Sequence, residues 1–266
     1  MGILIHVVAA ALYASAAWAY APAARRHPAP PAPAAHWLVP TALGAHAAAL
    51  VTTFVTAGGL DLSIQNAASL VAALCVAVLG ASGFLRALPA SGAVVLPVAA
   101  MCAILPTVVS NPHRFPYAEA PWAAAHIAVA LLAYAFLLVA ALTALLMTGL
   151  EKRLHRGLTV EAGSTPPLLT LERYLFRLIA IGFGLLTLTL ASGALFSEEV
   201  FGKPFMMSHK SLFSILAWLT FGALLAGRWR FGWRGRRALT WILAGTACLV
   251  LAYLGSKFVV EVVLGR

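Results

Sequence analysis

Between Ser211 and Ala226 the chain carries no charged residue. The run is preceded by Ser208-His209-Lys210 and followed by Arg228-Trp229-Arg230-Phe231-Gly232-Trp233-Arg234-Gly235-Arg236-Arg237. An apolar run of this length is near the roughly 20 residues that a helix needs to cross a bilayer. The arginines hold their end on the cytoplasmic side, because short basic loops resist translocation. His209 then falls at the outer face. The rest of the chain follows the same chemistry: 62% of its residues are hydrophobic, 10% are charged, and the mean hydropathy is +0.93. Soluble domains carry about 25% charged residues. The expected fold class is therefore an all-α, polytopic integral membrane protein. The formal net charge of +10 does not point to nucleic acid, because the basic residues flank apolar runs and form no aromatic-interleaved patch.

Eight apolar runs read as spans: Ile3–Tyr20, Trp37–Gly58, Asn66–Leu85, Gly92–Val109, Trp122–Leu150, Tyr174–Phe196, Ser208–Ala226 and Ala238–Val260. Ile3–Tyr20 has no positive segment before it and Arg25-Arg26 after it, which favours a retained helix with its N-terminus outside over a cleaved signal peptide. Pro22 to Pro33 is too proline-dense for a helix. Pro97 and Pro106 are expected to bend the fourth span, and Ser110–Pro121 reads as an ordered outer loop. Eight spans put both termini on the outer, periplasmic side. Thirteen of the 18 Lys and Arg residues then lie on inner connectors and edges, against five outside: Arg114, Lys203, Lys210, Lys257 and Arg266. Trp18, Trp37, Trp229 and Trp233 collect at the inner interface, where amphipathic rings sit. The chain reads as one membrane domain, with four spans in residues 1–109 and four in residues 110–266.

Ionisable groups inside a span are costly and mark function by default. All eight acidic residues fall in connectors or at span ends. No buried carboxylate is left of the kind that proton- or cation-coupled transporters use. Histidine remains. His6 lies near the outer end of the first span, His46 near the middle of the second, His126 about one turn inside the fifth and His209 at the outer mouth of the seventh, with His113 in an outer loop. Neutral imidazole is a common metal ligand and an axial ligand of haem iron. Two such nitrogens from different helices can face each other across the macrocycle. His126 and His209 suit that arrangement, since both begin inward-running helices. After His126, the small Ala130 and Ala133 leave room for a flat ring, and Tyr134 continues the stripe.

The residues carry plainer readings as well. A single interfacial histidine also serves as a hydrogen-bonding or headgroup-level residue, and His46 equally as a packing residue. His27, His36 and His155 read as solvated inner groups, Tyr134 and Trp218 as core packing, and Gly182, Gly184 and Gly193 as close helix contacts. Cys75, Cys102 and Cys248 sit in separate apolar runs without C-x-x-C spacing, so covalent haem attachment through C-x-x-C-H, a zinc site or a disulfide framework has no support. No nucleophile–base pair or paired carboxylates point to an enzyme.

Three segments go further. They are Ala125-His126-Ile127-Ala128 with Leu132-Ala133-Tyr134, Leu145 and Glu151; Leu171-Glu172 with Arg177 to Phe183, Leu186-Thr187 and Ser192-Gly193; and His209-Lys210 with Trp218, Gly232 to Arg237 and Tyr253-Leu254-Gly255. In this order they resemble the cytochrome c assembly protein superfamily (CcsA, CcmC, CcmF), most closely its small YpjD/HemX-like inner-membrane branch. The first half resembles it more thinly, through Leu60-Asp61-Leu62-Ser63 and His46. The resemblance implies a bacterial inner-membrane protein that handles haem at the outer face for attachment to apocytochrome c. Haem-presenting members carry W-x-W-D-P-x-E before the penultimate span, where this chain reads Phe205-Met206-Met207-Ser208-His209-Lys210-Ser211. They also have a histidine in the last outer segment, absent from Val262-Val263-Leu264-Gly265-Arg266, and an intramembrane histidine where Ala226 stands here. His126 matches a surviving ligand position, and His209 occupies the place of the tryptophan motif.

The expectation is thus a non-catalytic haem-binding accessory protein of cytochrome c assembly. It would hold haem b non-covalently, with His126 as first axial ligand, His209 as second and His46 as an intramembrane station. The loops Ser110–Pro121 and Ser197–Met207 would form the rim, with Arg114 or Lys203 pairing with the propionates. Expected partners are haem, other assembly proteins or apocytochrome c, and membrane lipid, with no nucleic acid. Two alternatives stand beside it. One is a scaffold or regulatory subunit with a HemX-like role in tetrapyrrole metabolism. The other is a small-solute permease, against which no inverted repeat of broken helices is visible.

Overall fold

The computed structural model describes residues 2–25, 33–56, 59–61, 63–108, 121–155, 167–195 and 209–255. These are almost wholly helical. In chain order the helices are α1 (Gly2–Arg25), α2 (Ala35–Phe54), α3 (Ile64–Ala81), the single turn α4 (Phe84–Ala87), α5 (Pro89–Val108), α6 (Pro121–His155), α7 (Leu168–Leu195), α8 (His209–Phe231) and α9 (Gly235–Val250). Seven of them, all but α4 and α9, are long and apolar enough to cross a membrane. α9 passes into a π-turn at Leu251–Gly255, and the rest of the expected eighth span lies outside the described residues. Large apolar side chains face outward along the spans, among them Met101 at 74%, Leu188 at 59% and Val98 at 50% exposure. Such surfaces suit hydrocarbon as solvent, not water.

The chain divides into two compact units. In the first, α1 packs along α5 and α2, and α3 packs against α5 and α2. Gly92 permits the α1–α5 contact, because a Cβ there would lie 2.7 Å from the Tyr20 ring. Several element ends depart from the hydropathy pattern. α1 continues through Pro22 to Arg25. A proline in the last turn loses one hydrogen bond, and its fixed φ is already helical. α2 stops at Phe54, short of Gly58, where Val55–Thr56 pairs antiparallel with Gly59–Leu60 and the Asp61 N–H donates to the Phe54 carbonyl at 2.9 Å. The Ser63 N–H then donates to Asp61 Oδ1 at 3.0 Å, a side-chain turn that launches α3. Asn66 Nδ2 donates to the Asp61 and Thr53 carbonyls at 3.2 and 3.3 Å. α3 stops at Ala81, before Leu85, because Gly83 takes a left-handed φ of 70° that only glycine adopts cheaply. α5 runs on through Pro97 and Pro106. Pro89 and Pro121 open α5 and α6 at the first position, where no N–H is missed.

The second unit comprises most of α6 and α7 together with α8 and α9. Gly182 brings α7 onto α6, since its Cβ would lie 2.7 Å from Leu137 Cγ. Trp218 on α8 donates from Nε1 to Thr187 Oγ1 on α7 at 2.9 Å and stacks on Phe183 at 5.7 Å. Gly245 on α9 accepts the Phe221 ring of α8, 2.8 Å from where a Cβ would be. Tyr134 on α6 donates to the Leu249 carbonyl of α9 at 3.0 Å. Of the three glycines on α7, Gly182 is at a close crossing, whereas a Cβ on Gly184 would meet nothing within 4 Å.

The turn between α8 and α9 is a lock. Gly232 and Gly235 take φ of 64° and 54°, and Trp233 between them folds back against Gly227 and stacks on Trp241 at 5.4 Å. Arg228 Nη1 donates to the Trp233 carbonyl at 3.3 Å and pairs with Glu172 Oε1 of α7 at 2.5 Å, and Arg234 Nε reaches the same oxygen at 3.3 Å. The Arg228 guanidinium also lies 4.5 Å above the Phe176 ring. Leu171-Glu172 and Gly232-Trp233-Arg234-Gly235 are thus halves of one structure.

Candidate functional site

α6 and α8 both run antiparallel to α7 in the second unit. His126, near the start of α6, meets Ser192 near the end of α7, and Glu172, near the start of α7, meets Arg228 near the end of α8. His126 and His209 therefore lie at the same end of this unit, and the arginines of the α8–α9 turn lie at the other.

His126 Nδ1 is 2.8 Å from Ser192 Oγ. The Ser192 hydroxyl has a second partner, the Thr189 carbonyl at 3.1 Å. In the tautomer that lets Ser192 keep its bond to the Thr189 carbonyl, Ser192 Oγ accepts from the imidazole Nδ1–H. That tautomer leaves the lone pair on Nε2. Gly193 next to Ser192 leaves space at the ring edge, since a Cβ there would come within 3.4 Å of His126 Cε1. The ring is half-buried.

Around it the expected stripe is only partly open. Ala130 is half-buried, but Ala133 is 1% exposed. The space at Ala133 is taken by helix packing, which corrects the expectation that both alanines leave room for a flat ring. Tyr134 belongs to the core, through its bond to Leu249 and an edge-on contact with Tyr253 of the π-turn at 6.1 Å. Lys210 Nζ lies 6.0 Å from the centroid of the Tyr253 ring. His209 is the exposed first residue of α8. Arg114, Lys203, His113 and His27 lie outside the described residues, as do the segments 110–120 and 197–207. His36 and His155 are exposed, in keeping with solvated groups.

The histidines of the first unit are built differently. His46 is fully buried, with Nε2 at 2.8 Å from Ser69 Oγ and Nδ1 at 3.3 Å from the Tyr13 hydroxyl. Both ring nitrogens are engaged, so in this arrangement neither offers a lone pair to iron. His6, also fully buried, donates from Nδ1 to the Ala103 carbonyl at 2.7 Å, and its Nε2 has no hydrogen-bond partner among the described residues. No group of three or more His, Cys, Asp or Glu side chains suited to a metal ion occurs among the described residues. A bond from a porphyrin-held iron needs only one such side chain on each face.

Sequence reasoning assigned no role to Ser192. The available signal was a hydroxyl beside a glycine near the end of an apolar span, at the depth of His126 on its antiparallel neighbour.

These helices and contacts make a polytopic helical membrane protein with a serine-held histidine at one end of a helical unit. The chain belongs to the cytochrome C assembly protein family, which matches it over residues 37–264. It is 33% identical over 228 residues to the inner membrane protein YpjD of Escherichia coli strain K12, covering 84% of each chain. It is 34% identical over 92 residues to the cytochrome c biogenesis protein CcsA of Gloeobacter violaceus, covering 35% of this chain and 27% of that one. A CcsA of Prochlorococcus marinus strain MIT 9303 is 35% identical over 85 residues, 32% of this chain and 27% of that one. No solved structure matches the chain.

Proposed function

We propose that this chain is a haem-handling accessory protein of cytochrome c assembly, multi-pass in the bacterial inner membrane. It holds haem b non-covalently at the outer face and carries out no catalysis of its own. Family membership and the CcsA likeness support the role in cytochrome c assembly. The likeness to an inner membrane protein, with seven helices able to span, supports the location. The arginine-rich end of the second unit is the cytoplasmic one by the positive-inside rule, which makes the His126 end the outer one, with both termini outside.

The observation that carries the haem reading is the 2.8 Å contact between His126 Nδ1 and Ser192 Oγ. With its Nδ1 proton given to Ser192 and the Ser192 proton to Thr189, Nε2 holds the lone pair that an axial bond requires. Metal-binding histidines commonly have their other N–H held in this way, which orients the ring and raises its basicity. Bound haem would supply an iron that accepts nitrogen ligands. His126 would hold it in this reading, with His209, at the same end, as the second ligand. His46 is a weaker candidate, because binding iron would break its bond to Ser69 or to Tyr13. Apocytochrome c or other assembly proteins are the expected recipients.

The visible spectrum of detergent-purified protein with added haemin tests the reading. A Soret band at a bis-histidine position, lost in both His126→Ala and His209→Ala, is expected. A spectrum without a specific band, unchanged by either substitution, overturns it and leaves a scaffold role in front.

A further inference from the structure

We propose that the α8–α9 turn is a binding surface for anionic phospholipid headgroups, with Arg230, Arg236 and Arg237 as the groups that hold the phosphate. α8 is long and apolar enough to span and ends at Phe231, so the turn emerges where headgroups lie. The inference is independent of the haem reading. Not every arginine of the turn is available. Arg228 and Arg234 share Oε1 of Glu172, the single acidic residue described in the second unit. Arg228 also bonds the Trp233 carbonyl and lies over the Phe176 ring. Arg230, Arg236 and Arg237 are exposed, and none of them pairs with a carboxylate among the described residues. The Arg237 guanidinium is 5.6 Å from the centroid of the Trp233 ring, which the lock already holds against Trp241.

The side chains around these cations say which anion fits. Trp229 is 88% exposed and Phe231 73%, one on each side of Arg230 in the sequence. A phosphate free in water gains nothing from bare apolar rings. A phospholipid presents its phosphate with glycerol and acyl carbons directly beneath it, so rings and guanidinium groups at headgroup level meet both parts of that ligand. The guanidinium fork pairs two phosphate oxygens at once. Gly232 and Gly235 fix the connection in left-handed conformations, with φ of 64° and 54°. The last turn of α8 and the first of α9 therefore carry their arginines on one short, braced link. Clusters of this kind beside a span attract anionic lipid, and each cation near the surface strengthens binding about fivefold.

The test titrates phosphatidylglycerol or phosphatidylcholine into the full-length protein in detergent and counts bound lipid by native mass spectrometry. Wild type is compared with Arg230→Gln, Arg236→Gln and Arg237→Gln combined, and with the same three positions changed to Lys. Lys152→Gln with Arg153→Gln, which removes exposed cations at the end of α6, is the control for unspecific charge. Wild type should prefer phosphatidylglycerol. The glutamine triple should weaken that lipid at least about tenfold and leave phosphatidylcholine unchanged. The lysine triple should keep most of the affinity, the α6 control should stay near wild type, and excess inorganic phosphate should not displace the lipid. No preference in wild type, or equal losses in the glutamine triple and the α6 control, overturns the surface. A loss in the lysine triple as large as in the glutamine triple means that the side chains act through the fold, and overturns it too. Displacement by inorganic phosphate overturns the lipid in favour of a free anion.

Discussion

Replacing Ser192 with alanine removes the group that orients His126 and leaves every proposed ligand in the chain. The bond lost is 2.8 Å long and joins two neutral groups on neighbouring helices. Neutral hydrogen bonds contribute about 0.5–1.5 kcal/mol net, and interhelical ones in membranes average about 0.6 kcal/mol. Fold stability should therefore change little. Ligand binding should change more. Without Ser192 the Nδ1 proton is no longer directed, the other tautomer becomes accessible, and the ring can turn. Loss of a partner that holds a metal-binding histidine typically costs 10–100-fold in affinity. The site is half-buried and a water can partly replace the hydroxyl, so the lower end, about tenfold or about 1.4 kcal/mol, is expected. Haemin titration of wild type, Ser192→Ala, Ser192→Thr and His126→Ala, read at the Soret band, measures it. Ser192→Thr keeps a hydroxyl and should stay near wild type, while the thermal midpoint of Ser192→Ala controls for unfolding. Wild-type affinity in a folded Ser192→Ala protein whose binding still needs His126 would refute the tautomer argument.

Three further outcomes follow from packing and charge. Gly182→Ala places a Cβ 2.7 Å from Leu137 Cγ and 3.3 Å from Phe136 Cβ. Leu137 is fully buried and has nowhere to swing, so about 1–3 kcal/mol should be lost and the thermal midpoint should fall. Gly184→Ala on the same helix meets nothing within 4 Å and should leave the midpoint near wild type; equal effects would refute the crossing. Glu172→Gln strips the counter-charge from Arg228 and Arg234. The Glu172 and Arg228 side chains are 13% and 22% exposed, between surface pairs at about 0.2–1 kcal/mol and buried pairs at about 3–5 kcal/mol. A loss of about 2 kcal/mol is expected, and an unchanged midpoint would show that the α7–α8 lock contributes nothing. His46→Ala leaves the Ser69 and Tyr13 hydroxyls without their partner, at about 1–3 kcal/mol for each buried group stranded. The same melting assay should show one of the larger losses in the first unit. A small loss there would mean that the Tyr13–His46–Ser69 contact is incidental.

Much of the architecture was legible along the chain. Crossing a bilayer requires a continuous apolar stretch, which is a local property of sequence, so the first seven spans appear where hydropathy puts them. Their ends were less legible, because single backbone groups decide them. Gly83 breaks α3 by its φ, Asp61 turns the chain into α3, and Pro22 is tolerated in a last turn that composition alone would have called a connector. Both halves of the Glu172–Arg228–Arg234 lock were visible as motifs, but nothing in either showed that they meet.

The candidate site divides along the same line. That His126 and His209 begin their helices was in the sequence, because chain order and span count put helix starts at alternating ends of a bundle. Which way each imidazole faces was not. The outcome depends on rotation about a helix axis, and in spans that are apolar all round no amphipathic stripe sets it. Tertiary packing set it instead. It turned His46 between Tyr13 and Ser69, buried Ala133, and brought Ser192 and Gly193 to the edge of His126. Lys210 came to rest over Tyr253 in the same way. Hydropathy and charge along the chain were enough for a multi-span membrane protein with His126 and His209 at one end of their spans and a cluster of arginines at the other. Which neighbours each imidazole meets, and so what holds each ring nitrogen, came from packing between helices, because rotation about a helix axis is not a local property.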